Sequence, residues 1–384
     1  MDLLQLATLY TETDLKGRYI NLNHIAPLLN KQSRKNTTSI IGASVLNKPI
    51  YACNIGNGSI KILMWSQMHG NESTTTKALF DFFNFLEYEN ETALELLNYF
   101  NFCFIPILNP DGAELYTREN ANGVDLNRDA QNVSQPESSV LRKQFEQFKP
   151  DYCFNLHDQR SVFGVGATGK AAMISFLAPS YNEAKSVNFT RKKAMQVIVA
   201  MHAALSTIIP GHVALFDDSF NINCVGDWFQ NAGTPTILFE AGHFGCDYSR
   251  EESRKMIFIS FLSALLSIRE NVVVCNEIEN YLLIPQNKVN FYDIIYNNAI
   301  VFDDGVEKMI NFAVQYRETL VNETVQLIGV MVAIGNLQDY FAHEIVDCKK
   351  SFYTDTAASV PQIGARADFR LNEVKIFTNG IKLQ

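Results

Sequence analysis

Three apolar, strand-like runs in this chain each lead to a side chain that binds metals or moves protons, and helix-like runs separate them. Ile60-Lys61-Ile62-Leu63-Met64-Trp65 reads as a strand ending at His69, residues 151–156 as one ending at His157, and residues 234–239 as one ending at Glu240. Strand and helix patterns alternating in this way imply an α/β sandwich with a mixed, largely parallel central sheet flanked by helices. In such sheets, ligands gather beyond the carboxyl ends of the strands. The runs therefore deliver two imidazoles and a carboxylate to one edge.

The remaining pattern fills in this frame. Residues 40–45 and 50–55 flank Asn47-Lys48-Pro49 and read as a hairpin. Behind His69, Leu79, Phe82, Phe83 and Leu86 recur at helical spacing, which predicts a helix from near Glu72. Residues 101–108 read as a buried strand, stopped by Asn109-Pro110-Asp111-Gly112. Two turn signals in succession there predict a loop of fixed shape. Residues 137–148 read as a helix with Pro136 at or before its first turn, and residues 181–208 as a long helix. Ser249-x-x-Glu252 matches a capping box opening a helix to about Ile268. After Pro285 the period changes. Ile310, Phe312, Val314 and Tyr316 alternate with polar or small residues, and Asp303-Asp304-Gly305 and Asn379-Gly380 mark hairpin turns. Residues 1–284 thus form one domain, with 1–37 as an N-terminal extension packed on it, and residues 285–384 form a small C-terminal β-domain.

Composition narrows the function classes. The chain has 384 residues, 47% apolar and 19% charged, as soluble globular proteins do. No apolar run approaches the roughly 20 residues a membrane helix needs. The N-terminus lacks a basic segment and a small-residue cleavage site, so no signal peptide is expected. With a net charge of −9 and no basic cluster longer than Arg191-Lys192-Lys193, binding to nucleic acid or anionic membranes is disfavoured. Seven scattered cysteines without a Cys-x-x-Cys pair read as buried, reduced thiols. Asn71-Glu72-Ser73 is a glycosylation sequon whose glycan would obstruct Glu72. A cytoplasmic location is the expectation.

His69 and Glu72, with the distant His157, supply three ligands and leave a fourth position open, the pattern of a catalytic zinc site. The tract from Asn109 through Arg118 to Gly123-Val124-Asp125-Leu126-Asn127-Arg128 brings two arginines towards the same sheet edge. Arginine pairs with a carboxylate in bidentate fashion and stabilises a developing oxyanion. Two arginines in a dry pocket without anionic partners would be costly.

HGNE (69–72), NPDG (109–112), GVDLNR (123–128), His157 and Ile237-Leu238-Phe239-Glu240 occur in this order. In these motifs the chain resembles the zinc metallocarboxypeptidases of the funnelin, carboxypeptidase A-like type, over roughly residues 40–270. The resemblance implies one Zn²⁺ per chain held by His69, Glu72 and His157, with peptides as substrates. It implies Glu240 as general base, Arg118 as the group polarising the scissile carbonyl, and Asn127 and Arg128 as the clamp on the substrate's terminal carboxylate. Asp125 would be the carboxylate orienting His69. Zinc amidohydrolases of N-acyl amino acids, of the succinylglutamate desuccinylase and aspartoacylase kind, share some of these motifs and remain an alternative. A cell-wall peptide amidase is another. The NPDG tract and the Arg118-to-Asn127 spacing favour the peptidase.

The chain departs from that family in residues 216–228, which hold no tyrosine to cover the substrate. Asp227 reads either as a helix N-cap or as a pocket residue selecting a cationic side chain. His243 reads as a site contact or as a loop residue. The β-domain either screens large substrates or mediates homo-oligomerisation, and the sequence does not decide between them.

Overall fold

The computed structural model describes residues 2–31, 37–88, 90–270, 277–355 and 359–383. Cys275 lies outside these. The chain divides into two compact units. One comprises Met1–Gln159, Ala172–His243 and Asp247–Asn287; the other comprises Arg160–Ala171, Phe244–Cys246 and Lys288–Gln384.

The first unit is built on an eight-stranded sheet. Its spatial order is Thr37–Ala43, Pro49–Ile55, Phe100–Ile105, Ile60–Trp65, Tyr152–Asp158, Thr236–Ala241, Ile174–Leu177 and Val213–Leu215. The central four strands run parallel. The first two form an antiparallel hairpin at one edge, and Ile174–Leu177 lies antiparallel to Thr236–Ala241. This is the expected mixed α/β sheet.

Alternation along the strands fixes what each face carries. Ile62, Met64, Phe154, Leu156, Ile237 and Phe239 enter the larger core with the helices Thr74–Glu87, Phe189–Ser206 and Glu251–Glu270. Leu63, Trp65 and Cys153 face the other way and pack with Val225 and Phe229 of the helix Val225–Asn231. Both faces are covered, which is why the central strands read as continuous apolar runs. Each buried aromatic of the larger core contributes about 1.5–3 kcal/mol, and Phe82 alone contacts Phe85, Phe102, Phe104, Phe258 and Phe261. The same parity turns His157 and Glu240 away from that core, onto the face that Cys153 shares.

Several boundaries differ from expectation. The third strand ends at Trp65, residues 66–73 continue as a loop with Gln67 at φ 43°, and the helix starts at Thr74. NPDG is not a loop. Pro110–Leu115 is a helix with Asn109 as its N-cap and proline in its first turn, because a proline without an N–H costs nothing there. The long helix begins at Phe189 rather than 181, where the Asn188 side chain accepts the Arg191 N–H at 2.8 Å. The cap assigned to Ser249 falls to Asp247, whose carboxylate accepts the Glu252 N–H at 2.7 Å. The helix Glu91–Tyr99, capped by Asn90, has no counterpart in the expectations. Among the described residues, no helix is long and apolar enough to cross a membrane.

The second unit is β-rich, as the change of period after Pro285 implied. Thr324–Ile334, Val306–Val321, Phe291–Asp303 and Phe341–Asp347 form one sheet, and four short strands between Tyr353 and Lys382 form another. Ile310, Phe312, Val314 and Tyr316 feed a core with Tyr296, Phe369 and Phe377. Ala313 and Gln315 on the opposite face are buried as well, so this strand is covered on both sides there. Asp304 and Gly305, and Asn379 and Gly380, all have positive φ, the geometry of tight hairpin turns. Cys53, Cys103, Cys153 and Cys348 are buried free thiols, whereas Cys224 is half-buried and Cys246 exposed.

Candidate metal centre and active site

The loop carrying His69 and Glu72 is held by its own polar side chains. Gln67 donates from its amide to the Gly70 carbonyl at 2.8 Å, and its Oε1 accepts the Thr76 hydroxyl at 2.8 Å. Asn109 reaches in from the neighbouring strand end. Its Oδ1 accepts the Gly112 N–H at 2.9 Å, while its Nδ2 donates to the carbonyls of Met68 and Glu119, each at 3.2 Å. The glycines of HGNE and NPDG meet here: a Cβ on Gly70 would fall onto the Gly112 carbonyl group. HGNE needs its glycine because the two backbones touch there, and Gly112 needs to be glycine because a Cβ would meet the Asn109 side chain and the Glu119 carbonyl.

On this frame the candidate ligands converge. His69 Nδ1 lies 2.8 Å from Glu72 Oε1, His157 Nδ1 lies 2.8 Å from Glu72 Oε2, and the two Nδ1 atoms are 3.1 Å apart. All three residues are buried. Zinc–ligand bonds of about 2.0–2.2 Å in tetrahedral geometry set donor atoms roughly 3.3 Å apart, so this set fits one zinc ion. Two imidazoles and a carboxylate also match its ligand preference. His157 Nε2 has no hydrogen-bond partner among the described residues, leaving Nδ1 as the nitrogen that this ring commits.

Electrostatics follow from the crowding. Burial opposes charge on Glu72, yet the two imidazoles hold its carboxyl well below the usual range. Burial also opposes protonation of His69, but the Glu72 charge and the Asp125 hydrogen bond outweigh it and raise the pKa. Burial lowers that of His157. Asp125 Oδ1 accepts from His69 Nε2 at 3.0 Å and from the Asn127 N–H at 2.8 Å. Its Oδ2 receives Arg118 Nε at 3.1 Å and Nη2 at 3.0 Å, and Arg118 Nη1 stands 3.2 Å from both His69 Nδ1 and Glu72 Oε1. Arg118 is 40% exposed, so the guanidinium borders the centre while keeping a side open.

Glu240 is the registered partner of His157 on the adjacent parallel strand, which sets both side chains on one face. Burial first, then the charges of Glu72 and Asp158, push its carboxyl well above the usual range, with Arg118 and Arg250 opposing. A cation among the three ligands would offset that rise.

Asn127 and Arg128 sit in a single helical turn, Leu126–Arg128. Asn127 Oδ1 accepts the Val225 N–H at 2.9 Å, and Arg128 Nη1 donates to the Asn127 carbonyl at 2.7 Å and to Cys224 Sγ at 3.2 Å. Asp227 does not cap its helix, because Cys224 holds the N-cap position; its carboxylate accepts the Asn221 N–H at 2.8 Å. Burial raises its pKa to about 7. His243 is buried and its ring packs at a tilt against Tyr248, with centroids 4.2 Å apart. Asp158 escaped the sequence reading. Its N–H donates to Glu72 Oε2 at 3.1 Å and its carboxylate accepts the Thr74 N–H and hydroxyl. Adjacency to His157 was its only signal.

The comparisons with known proteins agree with this geometry. The family model described as zinc carboxypeptidase matches residues 23–204. A probable carboxypeptidase 2 from Arthroderma benhamiae is 27% identical over 134 residues, which is 34% of this chain and 25% of that protein. Gamma-D-glutamyl-L-diamino acid endopeptidase 1 from Lysinibacillus sphaericus is 37% identical over 83 residues, 20% of this chain and 21% of that protein. The matched stretch thus spans about a quarter of the curated relatives' length. Among solved structures, a metallo-carboxypeptidase from Burkholderia cenocepacia superposes with a TM-score of 0.53 at 16% identity, covering 65% of this chain and 69% of that one. Thrombin activatable fibrinolysis inhibitor gives 0.55 at 16% identity, covering 71% and 81%. At such identities these structures share the fold. Motif order, ligand geometry and fold point the same way: over residues 23–204 the chain is similar to the zinc carboxypeptidase family.

Proposed function

We infer that this protein is a zinc-dependent metallocarboxypeptidase that hydrolyses the C-terminal peptide bond of peptides. The observation that carries this reading is the convergence of His69, Glu72 and His157 beside Glu240 on the neighbouring strand. A zinc ion bound there supplies an acidified water and a Lewis acid for the carbonyl. Glu240 takes the proton of the attacking water and returns it to the leaving amine. Arg118, steered by Asp125, stabilises the negative charge developing on the carbonyl oxygen. Asn127 and Arg128 hold the terminal carboxylate, which restricts cleavage to the chain end. Asp125 fixes the tautomer and orientation of His69.

A second reading has one specific support, the 37% identity to an endopeptidase whose name specifies a γ-D-glutamyl-diamino acid bond. In that case the scissile amide belongs to a cell-wall peptide. We place the protein in the cytoplasm and assign residues 285–384 to a separate β-domain that either screens large substrates or mediates self-association.

The test offers the zinc-loaded protein free-carboxyl peptides, their C-terminal amides, γ-D-glutamyl-diamino acid peptides and N-acyl amino acids, with Glu240→Gln as control. Release of the last residue from free acids alone is expected, with kcat falling about 10²–10⁴-fold in the variant. Amides cleaved as fast as acids would remove the carboxylate clamp, and full activity in Glu240→Gln would remove the base.

A further inference from the structure

Two chain segments carry the three candidate ligands: the loop after Trp65, with His69 and Glu72, and the end of the strand Tyr152–Asp158, with His157. A third segment, Arg18 to Ile20, touches both. The Arg18 carbonyl accepts the Ser73 hydroxyl at 2.5 Å, and the Ile20 carbonyl accepts the Gln67 amide at 2.9 Å. The Arg18 guanidinium lies 3.5 Å from Asp158 Oδ2, with side-chain exposures of 8% and 2%. That same oxygen accepts the Thr74 N–H at 3.1 Å and the Thr74 hydroxyl at 2.6 Å, at the start of the helix behind Glu72. The Asp158 N–H in turn holds Glu72 Oε2.

The N-terminal segment is itself anchored. Arg254 donates to the carbonyls of Leu15 at 2.7 Å and Glu12 at 2.8 Å, and Glu251 accepts the Gly17 N–H at 3.2 Å. Arg18 therefore presses on Asp158 from a fixed support. The segment also precedes the stretch matched by the family model, which begins at residue 23.

We propose that Arg18 is a positioning residue for the metal centre, acting through Asp158 to lock the His157 strand end against the Glu72 loop and so setting zinc affinity. The proposal rests on the metal-centre reading above. Without the guanidinium, Asp158 becomes a buried carboxylate lacking its countercharge, which such a site relieves by moving. That movement displaces the backbone that carries His157 and the N–H that holds Glu72. Groups bonded to metal ligands in this way typically tune affinity by 10–100-fold.

The test is zinc affinity, measured by competition with a chromophoric chelator, alongside the melting temperature of the metal-free protein. Arg18→Met is expected to bind zinc about 10–100-fold more weakly, and Arg18→Lys, which keeps the charge, to recover most of the loss. Wild-type zinc affinity in Arg18→Met overturns the proposal, as does a loss that Arg18→Lys fails to reduce. Should Arg18→Met not fold, Asp158→Asn decides the matter, and unchanged affinity there overturns it too. A wild-type protein that binds no zinc would instead overturn the metal-centre reading itself.

Discussion

Asp227 combines deep burial with a carboxyl whose pKa is raised from 3.8 to about 7. The folded state therefore holds this proton more tightly than the unfolded chain. Its contribution to stability is fully present below about pH 4 and is lost as the pH rises through 7. The loss amounts to at most about 4 kcal/mol. Asp227→Asn, which cannot ionise, is expected to flatten the stability profile between pH 4 and 8 and to gain stability at the upper end, as read from urea unfolding. An unchanged pH slope would contradict the assignment. At this scale, legibility depended on where the partner sits in the sequence. His69, Glu72 and His157 could be read because each follows a strand signal, and Asp125 because it lies within a recognisable tract. Arg18 and Asp158 could not, since their pairing spans a large separation in sequence and exists only through tertiary contact.

Elements were legible in type more than in extent. The parallel strands announced themselves as apolar runs because both faces of the sheet are covered. Their C-terminal ends were placed late or early by a few residues, since the 66–73 loop is held by side-chain hydrogen bonds that no periodicity encodes. NPDG shows the same limit: asparagine, proline and glycine signal a turn, yet here asparagine caps a helix and glycine admits the neighbouring backbone. Asn109 and Gly70 test that account. Asn109→Ala removes a cap and two cross-links, so a loss of about 1–3 kcal/mol is expected in denaturant unfolding. Gly70→Ala drives a methyl into the Gly112 backbone, and a loss of at least about 2 kcal/mol is expected, with weakened zinc binding. Wild-type stability in both variants would mean that the two tracts do not lock each other.

For the whole molecule, the sheet's architecture and the change of period after Pro285 were both visible in the sequence. The recruitment of Arg160–Ala171 and Phe244–Cys246 into the second unit was not, because short excursions from one core into another leave no periodic trace. Zinc couples these levels, since a ligand bound only by the folded state stabilises it by RT ln(1 + [L]/Kd). Free zinc at 100 times Kd is thus expected to add about 2.7 kcal/mol, seen as a melting temperature that rises with added zinc and falls with chelator. A melting temperature indifferent to zinc would contradict this coupling.

The central claim is that His69, Glu72 and His157 together hold one zinc ion. Metal content after equilibrium dialysis against buffered zinc tests it directly, in the wild type and in His157→Ala. One zinc per chain in the wild type and close to none in the variant is the expected result. Equal zinc content in the two proteins would contradict the claim.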